Sequence, residues 1–161
     1  MATSFLSGDI LHAVEARSGQ RALAFGADCA GGMSVGIAVA IAKRWPAFAE
    51  AFRAHAADGK VQVGDLYVWG DGDVSIYALC LQKDDAKPRF SSFERALGSA
   101  LKRAALDRVP AIYLPRLASG KAGLDWTRVK RHLTEVGTGT GAQMLVYEKF
   151  VRHVVPSIDE A

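Results

Sequence analysis

Gly31–Ala42 has the sequence Gly-Gly-Met-Ser-Val-Gly-Ile-Ala-Val-Ala-Ile-Ala, a glycine-rich loop that runs directly into an apolar segment. Glycines let the backbone adopt positive φ angles and approach a ligand closely, because they carry no Cβ. The first turn of a helix has unpaired N–H groups and a partial positive charge, which suit phosphate. Val35–Ala42 contains no polar residue, so we expect a helix that is buried on every side. The stretch predicts the anion-binding turn of an α/β domain.

This loop matches neither of two common phosphate-binding motifs. Gly31 and Gly36 have the spacing that begins a P-loop, but Ile37 and Ala38 stand where that motif requires lysine and serine or threonine. The glycines also lack the Gly-x-Gly-x-x-Gly order of a dinucleotide site. Two interpretations stay open at this point, anion binding and a loop that only permits tight helix packing.

The composition indicates one globular domain. Of the 161 residues, 50% are hydrophobic and 23% are charged, which is ordinary for a folded protein. No apolar run approaches the roughly 20 residues of a membrane span, and the N-terminus lacks a signal-peptide pattern. We therefore expect a monomeric cytoplasmic protein, or a nucleocytoplasmic one in a eukaryote, with no membrane partner. The net charge of +3 favours polyanionic ligands without requiring them.

The cysteines and histidines predict no metal site, and we expect no cofactor. Cys29 and Cys80 lie in apolar segments and are interpreted as buried, reduced thiols. The chain has no Cys-x-x-Cys pair, and its four histidines are scattered without the spacing of metal ligands.

On both sides of the glycine loop, predicted strands alternate with predicted helices. Gly70-Asp71-Gly72-Asp73 predicts a hairpin turn between two strands. Pro46 is expected in the first turn of one helix, Ser91 and Glu94 as the capping box of a second, and Asp125 as the N-cap of a third. The expected strands are 3–6, 22–27, 66–69, 74–81, 111–114 and 142–147.

These elements predict a three-layer α/β/α fold around a mixed central sheet of about six strands. We assign residues 1–147 to this domain. Residues 148–161 are assigned to a C-terminal tail or a short added helix, from Lys149 to Val155.

Three segments together resemble the macrodomain family: Gly8-Asp9-Ile10, then Asp28–Ala38 with the following Lys43-Arg44-Trp45-Pro46, and finally Leu114–Trp126. The similarity is to the branch that contains the terminal ADP-ribose protein glycohydrolase and the antitoxin that removes ADP-ribose from thymidine in DNA. It spans roughly residues 3 to 147. Each motif is weak alone, but their order and spacing are specific.

The resemblance implies an ADP-ribose site. In it, Asp9 reads the adenine amino group and Ile10 supplies a backbone contact, while two loops enclose the distal ribose and the diphosphate. Lys83 corresponds to the catalytic lysine of this branch, whose amine attacks C1 of the distal ribose and expels the linked carboxylate or base. The other implied ligand-binding residues are Asp28, Gly32, Met33, Ser34, Val35, Gly36 and Ile37 in the first loop, and Leu117, Ala118, Ser119, Gly120, Lys121, Ala122, Gly123 and Leu124 in the second.

The resemblance thus implies a hydrolase that releases ADP-ribose from modified protein or DNA, with ADP-ribose or an ADP-ribosylated macromolecule as its partner. The chain departs from the family pattern at three places. Asp28 replaces a common asparagine, and Ala118-Ser119-Gly120 stands where the second loop usually has Gly-Cys-Gly or a similar sequence. Ala122 stands where the protein glycohydrolase has its partner aspartate. A non-catalytic ADP-ribose reader, an ADP-ribose 1″-phosphate phosphatase and a degenerate structural domain therefore remain alternatives.

Overall fold

The computed structural model describes residues 2–34, 36–83, 87–117 and 123–158. A mixed six-stranded sheet forms the centre, with the strand order β1-β6-β5-β2-β4-β3. Every neighbouring pair is parallel except β3 and β4, which form the expected hairpin. The strands are β1 (Thr3–Gly8), β2 (Arg21–Asp28), β3 (Leu66–Asp71), β4 (Val74–Gln82), β5 (Ala111–Pro115) and β6 (Gln143–Phe150).

Helices cover both faces of this sheet. The helices are α1 (Ile10–Ala16), α2 (Ile37–Arg44), α3 (Pro46–Ala57), α4 (Phe90–Leu106) and α5 (Trp126–Gly137). Buried residues of α1, α2 and α3 share one hydrophobic core, and those of α4 and α5 share the other. This arrangement confirms the expected three-layer fold around a mixed six-stranded sheet.

The central strand β2 contributes buried side chains to both hydrophobic cores. Leu23 and Phe25 pack in the core beneath α2 and α3, whereas Ala22 and Ala24 pack in the core beneath α4 and α5. A strand covered on both faces needs apolar residues at consecutive positions, as this segment has. The carboxyl ends of the five mutually parallel strands meet at one edge of the sheet, which is where such folds place ligand sites.

The expectation that the apolar helix is buried on every side is wrong. In α2 only Ala38 and Ile41 are buried, and Val39 is 41% exposed. The helix packs against α3 and β2. A short helix at the periphery can therefore be apolar all round and still expose one face.

Two of the three helix starts that were predicted from particular residues are correct. Pro46 begins α3, and the Asp125 carboxylate caps α5 by accepting a hydrogen bond from the Thr127 N–H at 3.0 Å, as expected. The capping box at Ser91 and Glu94 is wrong, because α4 already begins at Phe90. Helix α1 was not predicted, because the sequence analysis assigned no helix to residues 10–16.

The C-terminal segment differs from the expected added helix. Strand β6 continues to Phe150, and residues 151–158 contain no helix. This tail returns over the end of β1, where the Val151 N–H donates to the Gly8 carbonyl at 3.0 Å and the Asp9 N–H donates to the Val154 carbonyl at 2.7 Å. A Cβ at Gly8 would lie 2.7 Å from that Val154 oxygen, so glycine permits the close approach.

Both cysteines are buried free thiols, as expected. Hydrogen bonding to Cys29 and burial both raise the pKa of the Cys80 thiol, so this residue belongs to the core. Among the described helices none has the length and hydrophobicity that a membrane span requires.

Candidate functional site

Asp28 ends β2 and organises the loop that follows. Its Oδ1 accepts a hydrogen bond from the Ala30 N–H at 2.8 Å, and its carbonyl accepts one from the Gly31 N–H at 2.9 Å. The Cys29 N–H donates to the Gln82 carbonyl at 2.8 Å. These bonds fix the carboxylate where the ends of β2 and β4 meet.

The glycines of the loop serve different purposes. Gly31 has a φ of 88°, and a Cβ there would lie 3.0 Å from the Cα of Arg53 on α3. Gly36 has a φ of 61° and a ψ of −140° at the N-cap of α2, yet open space surrounds the position of its missing Cβ. Tight packing therefore explains Gly31, whereas Gly36 is needed for a backbone conformation that turns the chain into the helix.

Two cavities lie on either side of the first turn of α2. The Asp28 cavity has a volume of about 200 Å³ and is lined by Gly26, Ala27, Asp28, Gly32, Ser34, Ala38, Leu81 and Gln82. The Asp9 cavity has a volume of about 430 Å³ and is lined by Gly8, Asp9, Ile10, Leu11, Gly36, Ile37, Ala40, Pro115, Arg116, Tyr147, Glu148 and Phe150. The structure thus brings the Gly8-Asp9-Ile10 segment and the glycine loop to one continuous edge of the fold.

Asp9 is held by backbone N–H groups from two segments. As the N-cap of α1 it accepts from the His12 N–H at 3.3 Å through Oδ1, and its Oδ2 accepts from the His153 N–H of the tail at 3.1 Å. A carboxylate has about four lone-pair sites, so these two bonds leave room for another donor. The carboxylate is therefore oriented by the protein and still able to bind a ligand.

The end of β6 forms a wall of the Asp9 cavity that the sequence analysis missed. Glu148 accepts hydrogen bonds from Lys130 Nζ at 3.1 Å and from Trp126 Nε1 at 3.2 Å. Partial burial opposes ionisation of Glu148, but these hydrogen bonds outweigh it and hold the pKa of Glu148 below its usual range. Nearby, Phe150 is 67% exposed at the cavity rim. The position of these residues at the carboxyl end of a parallel strand was the signal that could have found them.

Lys83 directly follows β4, and its side chain is exposed. It lines a third cavity of about 370 Å³, the Lys83 cavity, together with Val63, Leu81, Gln82, Lys87, Arg89 and Ser92. Leu81 and Gln82 line both this cavity and the Asp28 cavity. Lys83 is therefore next to the Asp28 cavity without lining it.

The remaining residues assigned by resemblance are placed as follows. Met33 and Leu117 are buried in opposite cores, which leaves only their backbone groups for a ligand. Leu124 is half-buried against a core, and Gly123 is exposed. Val35 and residues 118–122, which include Ala118, Ser119, Gly120, Lys121 and Ala122, lie outside the described residues. Among the described residues, no group of three or more His, Cys, Asp or Glu side chains forms a metal-ligand set.

Comparisons with known proteins identify similar sequences and similar folds. No family model matches the sequence. A protein of Thermus aquaticus called DNA ADP-ribosyl glycohydrolase is 29% identical over 124 residues, which cover 73% of this chain and 34% of that protein. The chain thus spans about a third of the length of this relative.

The fold resembles solved structures more completely. The macrodomain of Thermus aquaticus DarG superimposes with a TM-score of 0.79 and 26% identity, covering 91% of this chain and 97% of the other. Thermosipho africanus DarTG, solved in complex with ADP-ribose, superimposes with a TM-score of 0.73 and 14% identity, covering 91% of this chain and 42% of the other. The chain therefore has the macrodomain fold and is similar in sequence to the macrodomain of a DarG protein.

Proposed function

We propose that the chain binds ADP-ribose across the first turn of α2 and releases it from a modified macromolecule. The observation that carries this proposal is the placement of two cavities on either side of one helix N-terminus, at the carboxyl edge of the sheet. A diphosphate between two sugar-binding cavities would face the N-terminal end of α2, where the helix dipole favours an anion. The DNA ADP-ribosyl glycohydrolase of Thermus aquaticus and the ADP-ribose-bound DarTG structure support the choice of ligand.

In this proposal the larger cavity takes the adenosine. Its apolar lining includes Ile10 and Phe150, and Asp9 offers a carboxylate oriented by two N–H groups. The adenine amino group is a hydrogen-bond donor, which matches the remaining acceptor capacity of Asp9. The second loop, Leu117–Leu124, would close over the diphosphate.

The smaller cavity takes the distal ribose, whose hydroxyl groups can donate to the Asp28 carboxylate. The bond to be broken joins C1 of this ribose to a base nitrogen or a carboxylate oxygen. In the proposed reaction the unprotonated Lys83 amine attacks C1, the bond to the macromolecule breaks, and the departing group takes a proton. Water then releases the ribose from the lysine and restores the amine.

A specific observation favours a second candidate, a reader that binds ADP-ribose without hydrolysing it. The Lys83 side chain is exposed and lines the neighbouring cavity rather than the one that would hold the distal ribose. If the lysine does not turn inward when ligand binds, the site has affinity and no nucleophile.

Substitution of Lys83 separates these candidates. We expect Lys83→Ala to slow ADP-ribose release by about 100-fold or more, the usual contribution of a reacting side chain, with little change in ADP-ribose affinity. Rates should be measured on ADP-ribosylated thymidine DNA, ADP-ribosylated glutamate and ADP-ribose 1″-phosphate, and affinity by calorimetry.

Lys43→Ala is the matched control, because Lys43 is an exposed lysine at the far end of α2. An unchanged rate in Lys83→Ala would remove Lys83 from the mechanism. Tight ADP-ribose binding without turnover of any macromolecular substrate by the natural chain would favour the reader. Turnover of the 1″-phosphate alone would favour the phosphatase, and no ADP-ribose binding would refute both cavity assignments.

A further inference from the structure

We propose that the Arg116 side chain binds the diphosphate of ADP-ribose and that Trp126 is its positioning residue. This inference rests on the proposed function and deepens it, because it names a side chain for the charged part of the ligand. Arg116 directly follows β5 and is exposed. It lines the Asp9 cavity together with Gly36 and Ile37, which form the start of α2. Arg116 therefore borders the helix end that would face the diphosphate.

The strand order places Arg116 between the two cavities. Strands β1 and β6 end at the Asp9 cavity, whose lining includes Gly8 and Glu148. Strands β2 and β4 end at the Asp28 cavity, whose lining includes Asp28 and Gln82. Because β5 lies between β6 and β2 in the sheet, the residue that follows β5 stands between the two cavities. A ligand that spans both cavities crosses this position with its diphosphate.

The charges around the site favour a cation at this position. Asp9 and Glu148 line one cavity and Asp28 lines the other, so three carboxylates surround the proposed ligand. The diphosphate is itself an anion, and like charges repel. The start of α2 contributes a partial positive charge, about half an elementary charge. Among the described residues that line the two cavities, Arg116 is the one with a full positive charge.

Trp126 orients the Arg116 side chain. The guanidinium carbon of Arg116 lies 5.3 Å from the centre of the Trp126 ring, within the range of a cation–π contact. The ring is itself held, because its Nε1–H donates to Glu148 at 3.2 Å and the residue packs against the core beneath α4 and α5. Arginine can stack on an aromatic face and bind a phosphate through the N–H groups at its edge. A cation that is oriented before the ligand arrives loses less entropy on binding.

Ligand binding by single variants tests Arg116 directly. Calorimetry measures the affinity for ADP-ribose and ADP, and NMR titration measures the weaker binding of adenosine. We expect Arg116→Gln to bind ADP-ribose and ADP about tenfold or more weakly, because a charge-assisted contact to phosphate is lost. Adenosine has no phosphate, so its affinity should not change.

Arg128→Gln is the matched control. Arg128 is also exposed and also stacks on an aromatic ring, with its guanidinium carbon 3.8 Å from the centre of the Phe90 ring, but it lines neither cavity. This variant should bind ADP-ribose as tightly as the natural chain does. Equal ADP-ribose affinity of Arg116→Gln and Arg128→Gln would overturn the proposal. An equal loss for adenosine and ADP-ribose in Arg116→Gln would also overturn it, because the shape of the cavity and not the charge would be responsible.

A lysine variant and a salt series isolate the contribution of charge. Arg116→Lys keeps the positive charge and should bind ADP-ribose more tightly than Arg116→Gln does. The difference between the natural chain and Arg116→Gln should shrink from about 0.1 M to about 1 M salt, as the Debye length falls from about 10 Å to about 3 Å. Equal affinity of the two variants, or a difference that does not depend on salt, would contradict a phosphate contact.

A double-mutant cycle tests whether Trp126 acts through Arg116. Trp126→Leu removes the aromatic face and should weaken ADP-ribose binding by about threefold or more. In the Arg116→Gln background the same substitution should have no further effect, because the side chain that it positions is already absent. Trp126→Phe keeps an aromatic face and should retain more affinity than Trp126→Leu. Losses of equal size in both backgrounds, or equal affinity of the two Trp126 variants, would refute the positioning role.

These measurements separate the role of Arg116 from the proposed function. If the natural chain binds ADP-ribose and Arg116→Gln binds it equally well, the role of Arg116 is refuted and the proposed function stands. If the natural chain does not bind ADP-ribose, both are refuted.

Discussion

Replacement of Gly36 by alanine tests whether the glycine loop holds a strained conformation for its ligand. Gly36 has a φ of 61° and a ψ of −140°, a region that residues with a side chain rarely adopt. A new Cβ would meet no atom within 4 Å, so the effect of Gly36→Ala is conformational and not steric. We expect a cost of about 1–3 kcal/mol, the usual strain of such a backbone.

Whether this strain lowers the stability of the fold or the affinity for ADP-ribose depends on whether the loop can relax in the free protein. If the loop stays in place, the free energy of unfolding falls by about 1–3 kcal/mol and the affinity for ADP-ribose is unchanged. If the loop relaxes in the free protein, stability is retained and the strain opposes binding. The affinity then falls by about 5- to 150-fold, because 1.4 kcal/mol corresponds to a factor of ten.

Urea unfolding measures the change in stability, and calorimetry with ADP-ribose measures the change in affinity. Gly72→Ala is the matched control, because Gly72 has a φ of 60° in the β3–β4 hairpin and also has open space around it. This control should lose stability without losing affinity. If Gly36→Ala changes neither stability nor affinity, the loop conformation has no role in binding and the reasoning fails.

Two further predictions concern stability. Gly137→Ala should lower the free energy of unfolding by about 1–3 kcal/mol, because its Cβ would overlap the Thr3 hydroxyl. Gly98→Ala, in the open interior of α4, should raise it by about 0.5–1 kcal/mol. Urea unfolding measures both variants, and equal effects would contradict the packing at Gly137. The pKa of Glu148 is lowered in the folded state, so its ionised form stabilises the fold above the unfolded pKa, and this contribution is lost as the pH falls through the folded pKa. The difference in Tm between the natural chain and Glu148→Gln should therefore shrink below about pH 4, and a constant difference would show that the Lys130 contact does not depend on ionisation.

The C-terminal tail, residues 151–158, forms hydrogen bonds with Asp9 at the Asp9 cavity that the strand ends alone would not provide. The His153 N–H occupies one oxygen of the Asp9 carboxylate, and the Val154 carbonyl accepts from the Asp9 N–H. Asp9 is thus positioned from both ends of the chain. Any ligand that uses this carboxylate shares it with the protein's own backbone.

Much of the fold could be predicted from local patterns. The Asp-Gly turn between two apolar runs located the β3–β4 hairpin, and consecutive apolar residues located the buried strands β2 and β5. These signals are reliable because turn geometry and burial act over a few residues. The start of α4 was missed because Arg89, which precedes it, is not a usual capping residue, whereas α1 was missed although Asp9 is a favoured N-cap residue.

The sequence by itself determined that a glycine loop follows a buried strand and that the chain forms an α/β domain, since both depend on backbone freedom and hydrophobic periodicity. Only the tertiary structure decided which residues share a site. The order of the strands brings the ends of β1, β2, β4 and β6 to one edge, and it places the exposed Lys83 beside the Asp28 cavity. Strand order depends on contacts between residues far apart in the chain, which no local pattern records.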